Sequence, residues 1–331
     1  MKDLYNLIEI SPTIYWDNQY QTLRRNTELL ESEVSFFKLF DSRFYTEHRP
    51  EVNPILIQAV EVMPRYYDYQ SRIEEIANHT ESGQSLDFSS LLPEELNFMS
   101  AWTKDNPDVL SDILRMIATI FMERKPLGSF CLIGKARGGK SACVNMLHTM
   151  LGSRNTSLVK MSQLSDDHYT HQLLHSLLNA PDEEDDTTLD RQQANFKTLS
   201  DHGTLTLSRM GSNEPLYLTA GFTSIFPMNH MPEWKGSGTE ACMRRTLAIP
   251  FLADLSVNDN RSMHFERDTY TAKMYAHLIP LVLAIASFYS REGQKMVFSP
   301  TMQGYQKFME EETSSASVYF KLFERYFNGF T

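Results

Sequence analysis

The sequence predicts an α/β protein with a parallel-sheet core, a helical region before that core and further helices after it. Glycine is absent from the first 82 residues, whereas ten of the fourteen glycines fall between Gly128 and Gly238. Apolar residues recur at helical spacing on both sides of this glycine-rich stretch. Within it, the segment FCLIGKARGGKSACVNMLHTMLG (residues 130–152) combines an apolar run, a glycine-rich turn and an amphipathic pattern.

The N-terminal region, residues 1–105, is predicted to be helical. Apolar positions recur every three or four residues in SEVSFFKLFDSRF (32–44) and NPILIQAVEVM (53–63). The polar segment 79–90 is the best candidate for a linker, because it has few large apolar groups. A strong helix is then predicted over residues 107–125, with a proline at its start.

The core is predicted to span residues 106–255, followed by a C-terminal helical region, 256–331. The strand candidates are SFCLI, TSLVKM, the end of LLHSLLNA and FTSIFPMN, and residues 203–219 are typical of a β-hairpin. The most apolar segment, residues 274–289, is too short for a bilayer and contains His277 and Pro280. We therefore expect a buried helix there.

Composition places the chain in the soluble globular class. It has 331 residues, of which 41% are hydrophobic and 22% charged, and no signal peptide is expected because its N-terminus has an early acid and no long apolar run. Three cysteines without metal-ligand spacing favour a reducing cytoplasm. The formal charge of −11 is unfavourable for a nucleic-acid binder, but a ring can carry acidic groups outside and basic groups in its channel.

The glycine-rich turn fits the phosphate-loop pattern G-x-x-x-x-G-K-[ST]. Its glycines allow successive backbone N–H groups to point at phosphate oxygens, and the following helix adds its positive end. Lys140 would contact the β and γ phosphates, and the Ser141 hydroxyl would bind Mg²⁺. The predicted ATP-binding residues are Gly134, Lys135, Ala136, Arg137, Gly138, Gly139, Lys140 and Ser141.

Acidic residues follow an apolar run about 40 residues further on, in SLLNAPDEEDD (176–186). A carboxylate at a strand end can hold Mg²⁺, and a second one can polarise the attacking water. Asp182 is the metal candidate and Glu183 the water-activating candidate, while Glu184 is the reserve for either role. A solvated acidic loop is the alternative.

Two later positions complete the predicted site. Asn229 ends a strand and is placed to contact the γ-phosphate or orient the water, although asparagine is also common in turns. Arg244 and Arg245 precede an apolar stretch, and an arginine there can reach the ATP of a neighbouring subunit. Ordinary surface arginines are the alternative.

This order of motifs resembles the superfamily 3 helicases, in particular the C-terminal ATPase domain of phage, plasmid and poxvirus-type primase-helicases. GKARGGKS and MRRTLAIPF carry the resemblance most specifically, and it runs from about residue 108 to the C-terminus. It implies a P-loop core of the AAA+ class. It also implies that Lys140 and Ser141 are the Walker A pair, Asp182 and Glu183 the Walker B acids, Asn229 the sensor and Arg244 the arginine finger.

The resemblance further implies DNA contacts on the hairpin before the sensor strand. Arg209 at its tip would meet phosphates, with Lys197 and His202 as helpers. The expected protein is a replicative DNA helicase of a virus or mobile element. It would be a hexameric ring acting on single-stranded DNA, located in the cytoplasm, or in the cytoplasm of the host cell if it is viral. A separate primase or replication protein is a further candidate partner, and no membrane partner is expected. A non-helicase AAA+ loader or remodeller, and a nucleotide-binding assembly module without unwinding activity, stay open as alternatives.

Overall fold

The computed structural model describes most of the chain between residues 7 and 311. The described residues are 7–11, 14–25, 37–39, 59–184, 188–208, 214–253, 272–291 and 294–311. Their helices are α1 (Ala59–His79), α2 (Phe98–Trp102), α3 (Pro107–Thr119), α4 (Lys140–Leu151), α5 (Asp167–Thr170), α6 (Gln193–Ser200), α7 (Thr239–Met243), α8 (Ala272–Ser290) and α9 (Pro300–Glu311).

The strands form a large sheet and three smaller ones. They are β1 (Leu7–Ser11), β2 (Ile14–Asp17), β3 (Thr22–Arg25), β4 (Phe37–Lys38), β5 (Ser129–Ile133), β6 (Thr156–Ser157), β7 (Leu178–Asn179), β8 (Thr188–Leu189), β9 (Thr204–Leu207), β10 (Leu216–Thr219), β11 (Thr223–Met228), β12 (Glu233–Trp234) and β13 (Thr246–Pro250).

The central sheet has five strands in the order β13-β5-β11-β7-β6, and every neighbouring pair is parallel. All five strands therefore end at the same edge, which we call the carboxyl edge, and begin at the opposite amino edge. Polar segments that follow β5, β11 and β7 meet at the carboxyl edge, although they are far apart in the sequence. The α/β prediction with a parallel sheet is confirmed.

Strand β5 shows why the sheet lies inside the molecule. All five of its residues are buried. Phe130 and Leu132 belong to one apolar cluster, whereas Cys131 and Ile133 belong to the other. Because side chains alternate between the faces of a strand, both faces of the sheet are covered. Because both faces of β5 are buried, its sequence is a continuous apolar run. A strand with one exposed face would instead alternate apolar and polar residues.

The beginning of the chain differs from the helical prediction. Strands β1 to β4 form a sheet in the order β3-β2-β1-β4. β4 lies within the predicted helix over 32–44, whereas α1 continues the predicted helix over 53–63. Ile8, Ile10, Ile14 and Trp16 are buried, and the Trp16 indole donates to the carbonyl of Phe121 at 2.9 Å. In the sequence these apolar residues occur at every second position, which is typical of a strand with one buried face.

Three predicted segments are shorter or more buried than expected. The helix over 107–125 stops at Thr119, and beyond its end the Lys125 ammonium folds back and donates to the carbonyls of Ile120 at 3.2 Å and Met122 at 2.8 Å. The predicted linker 79–90 is partly inside the core, since Leu86 and Phe88 are buried. The strand over 156–161 is only two residues long.

Helix α8 is the one described helix that is long and apolar enough to cross a membrane. However, 83% of the window Lys273–Ser290 is buried inside the protein, as predicted for a core helix. The apolar cluster on its side of the sheet runs from Ile8 to Met302. The first strands, the central sheet and α8 thus share one apolar core. The predicted domain limits, residues 1–105, 106–255 and 256–331, stay a prediction.

Candidate nucleotide-binding site

The phosphate loop lies between β5 and α4 and packs closely against the rest of the protein. Gly139 has φ +94°, and a Cβ there would lie 2.3 Å from Cδ1 of Trp102. A Cβ on Gly134 would lie 2.2 Å from the carbonyl oxygen of Phe251. Glycine is therefore required at both ends of the loop, by steric contact at Gly134 and by contact and backbone conformation at Gly139.

Lys140 is the first residue of α4, and its side chain turns back over the loop. Its ammonium donates to the carbonyls of Gly134 at 2.5 Å and Lys135 at 2.8 Å, and to Oδ1 of Asn229 at 3.0 Å. The residue is only 5% exposed. Burial lowers the pKa of Lys140 from its usual range, and the carboxylate of Glu183 opposes that shift.

Asn229 joins the lysine to an acidic residue. Its Nδ2 donates to Oε1 of Glu183 at 2.8 Å while its Oδ1 accepts from Lys140. Strand β11, which precedes Asn229, lies between β5 and β7. The strand order therefore explains why an amide lies between the loop lysine and the acids. The chain has a P-loop-type α/β core.

Glu184 faces away from this cluster, although it is adjacent to Glu183. It is 7% exposed, its backbone N–H donates to the carbonyl of Pro227 at 2.9 Å, and its Oε1 accepts from the N–H of Met161 at 2.7 Å. Glu183 is exposed and contacts Asn229. Of the two glutamates, Glu183 is thus the one at the candidate site.

The predicted metal ligands are both open to solvent. Ser141 is exposed in the first turn of α4, and Asp182 is exposed after β7. Asp182 is near His148 of α4: burial lowers the pKa of His148, whereas a hydrogen bond to the Ala180 carbonyl and the charge of Asp182 oppose this. Among the described residues, no cluster of three or more His, Cys, Asp or Glu side chains could hold a metal by itself.

The two adjacent arginines have different environments. Arg245 binds Asp201 through two contacts of 2.7 Å, Nε to Oδ1 and Nη2 to Oδ2, and also donates to the carbonyl of Ala241. Arg244 is exposed just before β13. Because β13 is parallel to β5, Arg244 lies at the amino edge, away from the phosphate loop of its own chain.

The hairpin strands β9 and β10 are present and antiparallel, as predicted. Arg209 lies outside the described residues. Just before the tip, the backbone N–H of Ser208 donates to Asp167 at 2.9 Å, and the Ser208 carbonyl lies 2.8 Å from Nε2 of His171. The hairpin is therefore attached to α5 and the turn that follows it.

The two predicted helpers lie near the base of this hairpin. The ring of His202 is directed into the fold, with Nε2 3.0 Å from the carbonyl of Pro126. Lys197 is on α6, and a Cβ on Gly238 would lie 3.1 Å from its Nζ.

Sequence reasoning missed Trp102. It lies outside the motif, on a short helix that precedes the core, but its ring contacts the loop at Gly139. The only sequence signal was an aromatic pair, Phe98 and Trp102, at helical spacing. That spacing predicts that the two side chains lie on the same face of a helix, but it does not predict which residues this face contacts.

Comparisons with known proteins give a distant structural likeness. No protein-family model matches the chain, and no curated protein matches it. The A-form apo structure of the NrS-1 C-terminal region aligns with a TM-score of 0.44 and 16% identity, covering 67% of this chain and 50% of that one. An apo structure of NrS-1 residues 305–718 aligns with a TM-score of 0.46 and 16% identity, covering 68% and 52%. The matched part spans about half the length of those chains.

Proposed function

We propose that the protein is an ATP-dependent, ring-forming DNA helicase or translocase of the superfamily 3 type, acting in replication of a virus or mobile element. The observation that carries the proposal is the chain of contacts from Lys140 through Asn229 to Glu183 beside the phosphate loop. It joins a phosphate-binding cation, a polar amide and a general base, which are the groups that ATP hydrolysis requires.

In this proposal ATP binds with its phosphates against the loop and the first turn of α4. The N–H groups of that turn have no partners within the helix and carry its positive end. Lys140 exchanges its carbonyl contacts with Gly134 and Lys135 for phosphate oxygens. The loop thus holds the ammonium close to the position where phosphate is bound.

Mg²⁺ fits the residues at this edge of the sheet. It binds oxygen ligands and retains several waters, so one hydroxyl and one carboxylate are a sufficient protein contribution. Ser141 and Asp182 supply these and are both exposed. Bound Mg²⁺ would neutralise charge on the phosphate oxygens.

Glu183 is the proposed general base. It takes a proton from water as the water oxygen bonds to the γ-phosphorus and the bond from that phosphorus to the bridging oxygen breaks. Asn229 orients Glu183 and the water. Its amide is hydrogen-bonded to both Lys140 and Glu183, so movement of the lysine onto phosphate would free Oδ1 of Asn229 to accept from the water while Nδ2 still donates to Glu183.

Arg244 is proposed to act on a neighbouring subunit. Arg245 and the five residues of β13 lie between it and the carboxyl edge, and the strand alone is about 17 Å long at about 3.3 Å per residue. It is therefore poorly placed to reach its own ATP, whereas its exposure allows contact with a second copy. In a closed ring, each ATP site has a neighbouring subunit whose Arg244 can reach it. We propose that the ring is a hexamer.

Single-stranded DNA is the proposed substrate of the ring. The tip of the β9–β10 hairpin, with Arg209, would contact DNA phosphates, and Lys197 and His202 are helpers at its base. Attachment of Ser208 to Asp167 and His171 gives the hairpin a fixed support.

The test is strand separation. Wild-type protein with ATP and Mg²⁺ should unwind a duplex with a single-stranded tail, and single-stranded DNA should raise its ATPase rate. Lys140→Ala should lose both activities, whereas Lys235→Ala, a change of an exposed lysine after β12, should keep them. ATP hydrolysis that ignores DNA, without strand separation, contradicts the helicase proposal.

A non-helicase loader or remodeller is the second candidate. The described strands of the hairpin carry no basic side chain, and the formal charge of the chain is −11. Measured affinity for single-stranded DNA separates the two, because phosphate contacts make DNA binding fall steeply with salt. Turnover that disappears in Glu183→Gln would exclude an assembly module that only binds nucleotide.

A further inference from the structure

The phosphate loop is held at both ends by an aromatic pair outside the loop. Trp102 is at the end of α2, and Phe251 directly follows β13. Their ring centroids are 5.9 Å apart with an interplanar angle of 29°, so the rings stack. Both are buried, with 1% of each residue exposed.

Each member of the pair contacts one end of the loop. The Trp102 indole lies so close to Gly139 that a Cβ there would be 2.3 Å from Cδ1. The carbonyl of Phe251 lies so close to Gly134 that a Cβ there would be 2.2 Å from its oxygen. The loop can neither move toward these groups nor carry a side chain at either end.

The pair is also joined through the main chain. The carbonyl of Trp102 accepts from the N–H groups of Leu252 at 3.0 Å and Ala253 at 3.2 Å, and the N–H of Phe251 donates to the Ile133 carbonyl at 2.6 Å. Trp102 and Phe251 therefore form one unit that is continuous with the strand preceding the loop.

The position of Trp102 is set by elements that belong to neither the loop nor the sheet. After α2, Lys104 and Asp105 adopt left-handed conformations, with φ of +50° and +59°, and turn the chain into α3. Asn106 caps α3 by accepting from the N–H of Val109 at 3.2 Å. Trp102 and the apolar residues of α3 belong to the same buried cluster, so the indole packs against the core as well as against the loop.

We propose that Trp102 is a positioning residue for nucleotide binding, whose indole holds Gly139 in the left-handed conformation that directs the first N–H groups of α4 at phosphate. This inference rests on the proposed function. A loop held in its binding conformation before ATP arrives loses less conformational freedom on binding. Without the indole, Gly139 samples more conformations in the free protein. More conformational freedom is then lost when ATP binds, so the affinity for ATP falls.

The first measurement is the dissociation constant of a fluorescent ATP analogue, together with kcat and KM for ATP. Trp102→Leu should raise Kd and KM about tenfold, because binding then includes the cost of ordering the loop. It should change kcat by less than about threefold, since the catalytic groups are retained. A purely structural role would instead reduce the active fraction, which lowers apparent kcat and leaves KM unchanged.

Trp16→Leu is the matched control. Trp16 is also a buried tryptophan, but it lies in β2 and donates to Phe121, away from the loop. Its replacement should lower the melting temperature and leave Kd within about twofold of wild type, because it removes core packing and no loop contact.

A double-mutant cycle tests the contact directly. Gly139→Ala should weaken binding about a hundredfold in wild type, because its methyl group would overlap the indole, and only about tenfold in Trp102→Leu, where the remaining cost is the left-handed conformation. Equal factors in both backgrounds overturn the role of Trp102. Absence of nucleotide binding by wild type overturns the proposed function and this inference together.

Discussion

At the scale of single residues, Glu183 and Glu184 differ in environment although they are adjacent in sequence. The carboxylate of Glu183 is exposed and contacts Asn229. That of Glu184 is buried and accepts from the backbone of Met161. A general base must reach water in the site, so the roles of the two residues should separate in kinetics.

We expect Glu183→Gln to reduce ATP turnover by about a hundredfold or more while leaving the Kd for ATP within about threefold, because the amide cannot accept a proton. Glu184→Gln retains an oxygen that can accept from Met161 and should keep turnover within about twofold. The measurements are steady-state hydrolysis and equilibrium binding. Equal loss of turnover in both variants would contradict this assignment.

Lys140, Asn229 and Glu183 were predicted from the loop pattern and from strand ends, and the structure brings their side chains into contact. Their roles in catalysis stay a prediction. The sequence left Glu184 as a reserve, since the direction of a side chain after Pro181 depends on how the segment pairs with β11. Trp102 was not predictable as a loop contact. Its partner Gly139 is distant in sequence, and apolar spacing does not identify partners.

At the scale of elements, a buried ion pair fixes α3 to its neighbours. Arg115 and Asp112 are at most 1% exposed and are 2.8 Å apart. Arg115 also donates to the carbonyl of Leu86, and its guanidinium lies 5.0 Å from the ring centroid of Phe88. Asp112 accepts from the backbone and hydroxyl of Ser299. The pair thus connects α3 to segments before it and before α9.

We expect Arg115→Met to lower the free energy of unfolding by about 3–5 kcal/mol at neutral pH, because it leaves the Asp112 carboxylate buried without its cation. Burial already raises the pKa of Asp112, and Arg115 is the main opposing cause. Removing Arg115 raises this pKa further, so the folded state binds the proton more tightly than the unfolded state. The loss should therefore grow as pH rises above about 4, the pKa of an unfolded aspartate.

Denaturant unfolding at several pH values measures this effect. Arg124→Met, a change of an exposed arginine after α3, should alter stability by less than about 0.5 kcal/mol. Adding Asp112→Asn to Arg115→Met should recover part of the loss, since no buried charge remains unpaired. If the double variant lost as much free energy of unfolding as the two single variants together, the ion pair would not be the cause of the loss in Arg115→Met.

Some helices and strands were predicted correctly from the sequence, and others were missed or predicted too long. Strand β5 and helix α4 agree with the prediction, because an apolar run and an amphipathic repeat each end at glycine. Strands β6, β7, β8 and β12 have two residues each, too few for a periodic signal. The first strands were missed because no glycine separates them, and the absence of glycine favoured helix.

At the scale of the whole molecule, Arg244 and the phosphate loop lie at opposite edges of one sheet. A site that needs both must take them from two copies. Mixing Lys140→Ala and Arg244→Ala proteins should therefore restore activity that neither has alone. In an equal random mixture about a quarter of the interfaces combine an intact loop with an intact finger, so about a quarter of wild-type turnover is expected.

The measurement is ATP hydrolysis after the two proteins are allowed to exchange subunits. Arg245→Ala provides the control: Arg245 is engaged with Asp201 in its own chain, so its loss should cost about 1 kcal/mol of stability or less and leave turnover nearly unchanged. A mixture with no more activity than the separate proteins would contradict a shared site.

Strand β13 has Arg244 just before its amino end and Phe251 just after its carboxyl end. Its five residues pair without interruption with β5, which leads into the phosphate loop. A slip of one residue would turn every side chain to the wrong face, so the register between β13 and β5 is fixed. If the proposed ring forms, β13 would therefore connect the phosphate loop of its own chain, through Phe251, with the site of the next subunit, through Arg244.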